Sequence, residues 1–294
     1  MSGPSKFSFR PLGQILEAIG VYLAWGLFAL LPLDWASGFG GWAARQLGPR
    51  LKVSQRARHG LAKSFPEKGA AEIEEIVVQV WDNLGRTVAE FPHLKRIAAE
   101  RIEVVGVENL ESLRDDGKPG FIVSAHFGGW ELSSVLCHQL GLPVHVVYRA
   151  ANNHWVENLF RTGRGLKDEL FIPKGGAGSR RLIEVMKSAG HVAIMIDQKM
   201  NDGISVPFLG REAMTAPAVA RLALKYHCPV VPGHIERLDG AHFRAILEPP
   251  ITFADSGDVQ KDVLDAMVLL NDIVGGWIRQ RPGQWLWLHR RWAD

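Results

Sequence analysis

From residue 102 to residue 247 the chain repeats one pattern: a short apolar run rich in β-branched and aromatic residues, then a stretch with polar breaks or helical spacing. The runs lie at 121–124, 144–148, 170–172, 192–196, 230–233 and 243–247, with helical stretches between several of them. This alternation predicts an α/β domain, a mixed, partly parallel sheet flanked by helices. The run at 121–123 is bounded by Pro119 and Gly120, and Trp130, Leu132, Val135, Leu136 and Leu140 then recur at helical spacing. His126 therefore falls at a strand-to-helix switch, followed by Gly128, Gly129 and Glu131.

Before the alternation the spacing is helical. Ile73, Ile76, Val77, Val80, Leu84, Val88 and Phe91 predict a long amphipathic helix ended by Pro92, and basic, helix-like turns precede it at 50–63. Val263, Leu264, Met267, Leu270, Val274, Trp277 and Ile278 predict another near the end of the chain. Residues 18–31, AIGVYLAWGLFALL, carry no charge; with Ile15, Leu16 and Leu33 the run reaches the lower limit of the roughly 20 residues that span a bilayer. Lys6 and Arg10 would suit the n-region of a signal peptide. No A-x-A-like site follows, however, and the apolar pattern resumes through Trp35, Phe39 and Trp42, so an uncleaved, membrane-anchoring helix is expected. The same two cations would keep the N-terminus cytoplasmic, and a single span would then carry the rest outside. A monotopic or re-entrant anchor is expected for an enzyme facing the cytosol. The expected division is a membrane-associated segment at 1–45 and one α/β domain at 46–294. Tryptophan favours bilayer interfaces but also fills cores, and it clusters at both ends: Trp25, Trp35 and Trp42, then Trp277, Trp285, Trp287 and Trp292.

Composition narrows the function. With 47% hydrophobic and 22% charged residues in 294, a sizeable core is assured. The net charge is only +3, but the clusters Arg180-Arg181 and Arg290-Arg291 favour anionic partners. No zinc-finger spacing or RNP-type signature accompanies them, which points to a phospholipid surface or an acidic carrier rather than nucleic acid. Cys137 and Cys228 are isolated and read as core residues. The histidines are dispersed and no H-E-x-x-H occurs, so no metal is expected. KGGAGSRR lacks the P-loop lysine position, so no bound nucleotide is expected there.

Two residues five apart on one helix point about 140° away from each other, so His126 and Glu131 can cooperate only if His126 lies outside the helix. Gly128 and Gly129 give the loop freedom to fold back, so that Glu131 reaches one imidazole nitrogen and the other faces a cleft. That is a general base, with N–H groups of Gly128, Gly129 or Trp130 available to an oxyanion. A capping histidine beside a surface glutamate fits the same spacing. Further polar residues follow apolar runs: Tyr148 and Arg149 at a strand end, Asn152 and Asn153 in the turn, Arg161 and Arg164 along the following helix, and Asp197 and Gln198 at another strand end with a glycine-bearing loop. Ligands collect at the carboxyl ends of strands in open α/β sheets, so Arg149, Asn153, Arg161 and Gln198 are candidate substrate contacts. Arg161 and Arg164 share a helix face, and Arg164 is expected beside Asp197.

In this order, HFGGWE, YRAANN, Gly163-Arg164, DQ with PFLG, and the terminal QWLWLHRRW resemble the bacterial lipid A biosynthesis acyltransferases, within the lysophospholipid acyltransferase-like superfamily. The resemblance covers nearly the whole chain. It implies a cofactor-free α/β enzyme at the cytoplasmic face of the inner membrane, moving a fatty acyl chain from acyl carrier protein to a hydroxyl of a lipid A precursor. Carried over by position, His126 and Glu131 are its catalytic pair, and Arg164 and Asp197 supporting residues. Lys199 stands where an acid is frequent, which bears on the acceptor headgroup. Other glycolipid or lysophospholipid acceptors, and acyl-CoA as donor, are the alternatives. No G-x-S-x-G elbow is present, and the Cys137-His138 and His227-Cys228 neighbours diverge in space, so direct transfer is expected.

Overall fold

The computed structural model describes residues 10–148 and 150–293. Five helices come first: α1 (Arg10–Leu30), α2 (Leu33–Leu47), α3 (Ser54–Ser64), α4 (Ala70–Glu90) and α5 (Leu94–Glu100). There follow β1 (Ile102–Val105), α6 (Val107–Asp115), β2 (Gly120–Ser124), α7 (Ser133–Gln139) and β3 (Val144–Tyr148). Next are α8 (His154–Arg164), β4 (Phe171–Pro173), α9 (Gly176–Lys187) and β5 (His191–Met195). The order ends with β6 (Ile204–Phe208), β7 (Arg211–Thr215), α10 (Ala218–Tyr226), β8 (Val230–Arg237), β9 (Phe243–Leu247) and α11 (Val259–Gln280).

Seven strands form one sheet in the order β1-β9-β8-β2-β5-β3-β4, and β6 and β7 pair separately. Within the seven, β8 and β9 run antiparallel and every other neighbouring pair is parallel. The mixed, mostly parallel sheet follows from the helices packed on both faces. Phe121, Val123, Val192 and Val230 point into a core shared with α3, α4, α9, α10 and α11, whereas Ile122, Ala193, Val231 and Val144 point into one shared with α6 and α7. A central strand buried on both sides reads as an unbroken apolar run, which is how β2 reads.

Two features were not expected. The edge strand β1 has four residues alternating between half-buried and exposed, too short a pattern to register. The glycine-bearing loop after Gln198 is the β6–β7 hairpin, whose first strand contains Pro207 and whose two-residue turn is Leu209-Gly210. Both turn residues have positive φ, 51° and 77°, as a tight hairpin turn requires, although a leucine there is unusual.

Helix α1 has 21 residues, or about 31 Å at 1.5 Å per residue, close to the hydrocarbon thickness of a bilayer. Its window Gly13–Leu30 has a mean hydropathy of 1.5, and only 6% of it is buried. Leu16, Leu23 and Leu30, spaced seven apart, are 62%, 70% and 87% exposed. Helix α2 continues this apolar surface through Phe39, whose ring contacts Phe28 and Trp42. The tryptophans divide accordingly: Trp35 and Trp42 are exposed, whereas Trp277, Trp285, Trp287 and Trp292 are buried. The C-terminal cluster belongs to the core. Lys6 lies outside the described residues, as does the side chain of Arg10.

Candidate active site

Sheet register creates the site. In the parallel β2–β5 pair Ser124 lies opposite Met195, and the Ile196 N–H then donates to the Ser124 carbonyl at 3.1 Å. One step further, His126 and Asp197 face each other where both strands end. The Asp197 carboxylate takes over from the ladder: Oδ2 accepts from the His126 backbone N–H at 2.8 Å, and Oδ1 lies 2.8 Å from His126 Nδ1. Trp285 Nε1 donates to Oδ2, also at 2.8 Å. Asp197 is fully buried, whereas the His126 side chain keeps 18% exposure. Since an ionised carboxylate only accepts, Nδ1 carries a proton, and in the neutral ring Nε2 is the unprotonated nitrogen. The partner that orients the imidazole is therefore Asp197, where the sequence pointed to Glu131.

The loop after His126 is held on both sides. Gly128 has φ +54°, and a Cβ there would stand 2.0 Å from the Ile235 carbonyl oxygen, so both its conformation and its close approach to β8 require glycine. Its N–H donates to the Gln284 carbonyl at 2.9 Å, and the Gly129 N–H to the Ile235 carbonyl at 2.8 Å. These two groups are spent on the fold and do not face an oxyanion, contrary to expectation. Of the three N–H groups considered, only that of Trp130 is given no hydrogen-bond partner by the described residues. The carbonyl of Gly128 accepts from Asn83 Nδ2 of α4 at 3.0 Å.

Glu131 instead meets Arg164, at the end of α8. Arg164 Nε donates to Oε2 at 2.9 Å and Nη2 to Oε1 at 3.1 Å, a two-pronged pair with both side chains 17% exposed. Trp130 Nε1 also donates to Glu131, at 3.2 Å. Arg164 thus pairs with Glu131 and makes no ion pair with Asp197, so the expected Arg164–Asp197 contact is not formed. Gly163 explains the glycine beside Arg164: a Cβ there would come within 2.3 Å of the Trp25 ring of α1 and 2.8 Å of Phe91.

Gln198 reaches the site. Its Nε2 lies 3.3 Å from His126 Nε2, and its Oε1 accepts from Lys174 at 2.6 Å. Lys174, at the end of β4, was not singled out from sequence; its position after an apolar run was the available signal. Asn153 is buried and turned away. It caps α8 through Trp155 N, and its amide donates to the Gln14 carbonyl and to Glu17, tying α8 to α1. Arg161 pairs with Asp168 at 2.7 Å and lies over the Phe171 ring. Neither lines the cavity over the strand ends, whereas His126, Glu131, Arg164, Gln198, Lys174 and Lys199 do. Arg149, the remaining candidate, lies outside the described residues.

That cavity has a volume of about 530 Å³. A second, almost wholly apolar space of about 270 Å³ opens between α1 and α4, lined by Val21, Trp25, Phe28, Leu84 and Val88 among others. Trp130, Glu131, Phe160 and Arg164 border both.

Charges of both signs act on His126, the carboxylates favouring its protonation and the Lys174 ammonium opposing it. Burial, the largest influence, opposes its protonation; the charge and hydrogen bond of Asp197 and then the charge of Glu131 outweigh it, and its pKa lies above the ordinary value. For Asp197 burial likewise opposes ionisation, but the His126 imidazole and backbone hold its carboxyl well below the usual range. His289, whose Nε2 donates to the Asp197 backbone carbonyl at 3.1 Å, is pushed down to about 4 by burial and stays neutral. Burial also raises the thiols of Cys137 and Cys228, to about 12 and about 11, which leaves neither as a ready nucleophile.

The arrangement is an imidazole held at Nδ1 by a buried carboxylate, its Nε2 beside the Gln198 amide at the wall of a cavity with an apolar annexe; in its neutral form that nitrogen carries no proton. It can take a proton from a hydroxyl without a metal or a protein nucleophile. The chain is 25% identical over 287 residues to the lipid A biosynthesis palmitoleoyltransferase of Escherichia coli, covering 94% of this chain and 90% of the relative. It is 26% identical over 267 residues to the lipid A biosynthesis lauroyltransferase of the same species, with 86% and 82% covered. It is 23% identical over 240 residues to the phosphatidylinositol mannoside acyltransferase of Mycolicibacterium smegmatis, with 76% of each covered. Residues 4–294 match the family described as bacterial lipid A biosynthesis acyltransferase, and the chain belongs to that family.

Proposed function

We propose that this acyltransferase moves a fatty acyl chain from acyl carrier protein to a hydroxyl of a lipid A precursor, by direct transfer, at the cytoplasmic face of the bacterial inner membrane. The supporting observation is His126 at the cavity wall with Nδ1 held by Asp197, which leaves Nε2, beside the Gln198 amide, as the nitrogen that can take a proton. His126 removes the acceptor hydroxyl proton as the oxygen attacks the thioester carbonyl. The new C–O bond forms, the C–S bond breaks, and the imidazolium returns the proton to the departing thiolate. A positioned base contributes on the order of 10² to 10⁴ in rate. His126 and Glu131 serve this step together but differently: Asp197 holds the ring, while Glu131 adds negative charge nearby and fixes the Arg164 guanidinium at the wall.

The apolar space between α1 and α4 supports a fatty acyl substrate, because it adjoins the polar cavity through Glu131 and Arg164. The exposed leucines of α1 and the exposed rings of α2 support residues 1–45 as a membrane-associated segment, with 46–294 as the catalytic domain. Arg149 and Gln198 are retained as substrate contacts. Asn153 and Arg161 are proposed to act indirectly, by holding α8 in place. The competing reading is another glycolipid or a lysophospholipid acceptor with acyl-CoA as donor. The relative named for phosphatidylinositol mannoside supports it, as does Lys199 at the cavity wall. The test is to incubate the purified protein with acyl carrier protein or CoA carrying chains of several lengths, with each acceptor, and to weigh the products. Acylated lipid A precursor formed from the carrier protein is expected. Transfer from CoA alone, or to lysophospholipid alone, would refute the proposal.

A further inference from the structure

The terminal sequence QWLWLHRRW packs against the site, and Trp285 reaches its buried carboxylate. After α11 the chain turns through Pro282–Gln284 and runs antiparallel to the loop that carries His126: Phe127 bridges Trp285, and the Leu286 N–H donates to the His126 carbonyl at 3.0 Å. The Trp285 ring is 1% exposed and packs edge-on against Trp287 and His289. Its indole nitrogen donates to Asp197 Oδ2, the oxygen that also accepts from the His126 backbone, while Oδ1 faces His126 Nδ1.

We infer that Trp285 is a positioning residue of the base: its N–H holds one oxygen of Asp197 so that the other meets the imidazole and Nε2 faces the cavity. The inference rests on the reading of His126 as the base. The carboxylate could otherwise rotate or shift within its pocket, since one backbone N–H alone restrains Oδ2. The indole also spreads the negative charge of Asp197. Removing it concentrates that charge on the side of His126, favours the imidazolium and raises the pH at which the base becomes available. The other titratable or charged groups around the pair are Glu131, Lys174, His289 and Arg291.

Trp285→Phe removes the N–H but also trims a packed ring. A variant carrying 3-benzothienylalanine at 285 keeps the bicyclic shape and exchanges N–H for sulfur. Trp287→Phe is the control: that ring is equally buried, and its Nε1 donates to the Pro282 carbonyl instead, at 2.8 Å. The full-length enzyme is assayed in detergent for kcat, acceptor KM, the pH profile of kcat/KM and thermal midpoint. An N–H donor on Asp197 Oδ2 draws negative charge away from the imidazole, so losing it should move the acid limb upward. In both 285 variants kcat should fall about tenfold, as for an interaction made mainly in the transition state, with KM within about twofold. Trp287→Phe should lower the thermal midpoint without moving the limb. An unmoved limb in the benzothienyl variant would overturn the inference, as would a limb in Trp287→Phe displaced by the same amount. His126→Ala separates the two levels: if it keeps most of its activity the base assignment fails, whereas an inactive His126→Ala with an unmoved limb at 285 defeats this inference alone.

Discussion

Asp197→Asn probes the site most directly, because the substitution keeps the shape and removes the charge. Three N–H groups converge on Asp197: two at Oδ2, from His126 N and Trp285 Nε1, and one at Oδ1, from His126 Nδ1. Asparagine has one carbonyl oxygen. Placing its NH₂ at the Oδ2 position would oppose two buried donors, so the oxygen settles there and the NH₂ faces Nδ1. The imidazole must then accept at Nδ1 and carry its proton on Nε2, which closes the nitrogen proposed to serve as base. The electrostatic loss can be sized separately. Two unit charges about 4 Å apart at an effective dielectric near 20 attract by about 4 kcal/mol, and each 1.36 kcal/mol is tenfold in rate, so the charge alone accounts for about 10³. The wrong tautomer adds to this, and kcat should fall by at least about 10³ with a smaller change in KM. The assay is steady-state transfer followed by product mass, with circular dichroism to confirm folding. A folded Asp197→Asn enzyme within about tenfold of wild-type kcat would refute the assignment of Asp197 as the anchor of the base.

Arg164→Lys should lower kcat at least tenfold, since an ammonium cannot reproduce the two-pronged contact with Glu131. A double-mutant cycle with Glu131→Gln should show coupling, whereas a cycle of Arg164 with Asp197 should be near additive; the reverse would mean that the pairing is misassigned. His126 must be neutral to act, and its raised pKa predicts an acid limb of kcat/KM above the ordinary histidine value of about 6.5. Glu131→Gln should move that limb downward, because the Glu131 charge favours the imidazolium. By linkage, the His126–Asp197 pair stabilises the fold fully between the unfolded carboxyl and unfolded histidine pKa values, and less as pH rises through the folded histidine value or falls toward the folded carboxyl value, a trend that thermal midpoints across pH would check. Leu16, Leu23 and Leu30 changed together to Glu should release the protein from membranes while its activity on detergent-dispersed acceptor persists; full sedimentation with membranes in high salt would place the anchor elsewhere.

The alternation of short apolar runs with helices determined the α/β architecture; the ends of those runs marked His126, Asp197 and Gln198, while the spacing from His126 singled out Glu131 and the family resemblance Arg164. Helical and strand periodicities are local, so these features were legible along the chain. Who pairs with whom was decided only in three dimensions. His126 and Asp197 are 71 positions apart and become neighbours because β5 inserts beside β2, while β3 and β4 lie on its far side. Strand order leaves no trace in a period of two. Glu131, five residues from His126, looked like the natural partner, yet the loop at Gly128 is pinned to β8 and to Gln284, and Arg164 arrives from α8 to take the carboxylate. The tryptophans carry the same lesson. An indole with its N–H satisfied is as stable in a core as at a membrane surface, so its sequence position near either end could not tell Trp35, exposed on α2, from Trp285, buried against Asp197. Burial and hydrogen bonding across distant segments settle such cases, and both belong to the packed chain alone.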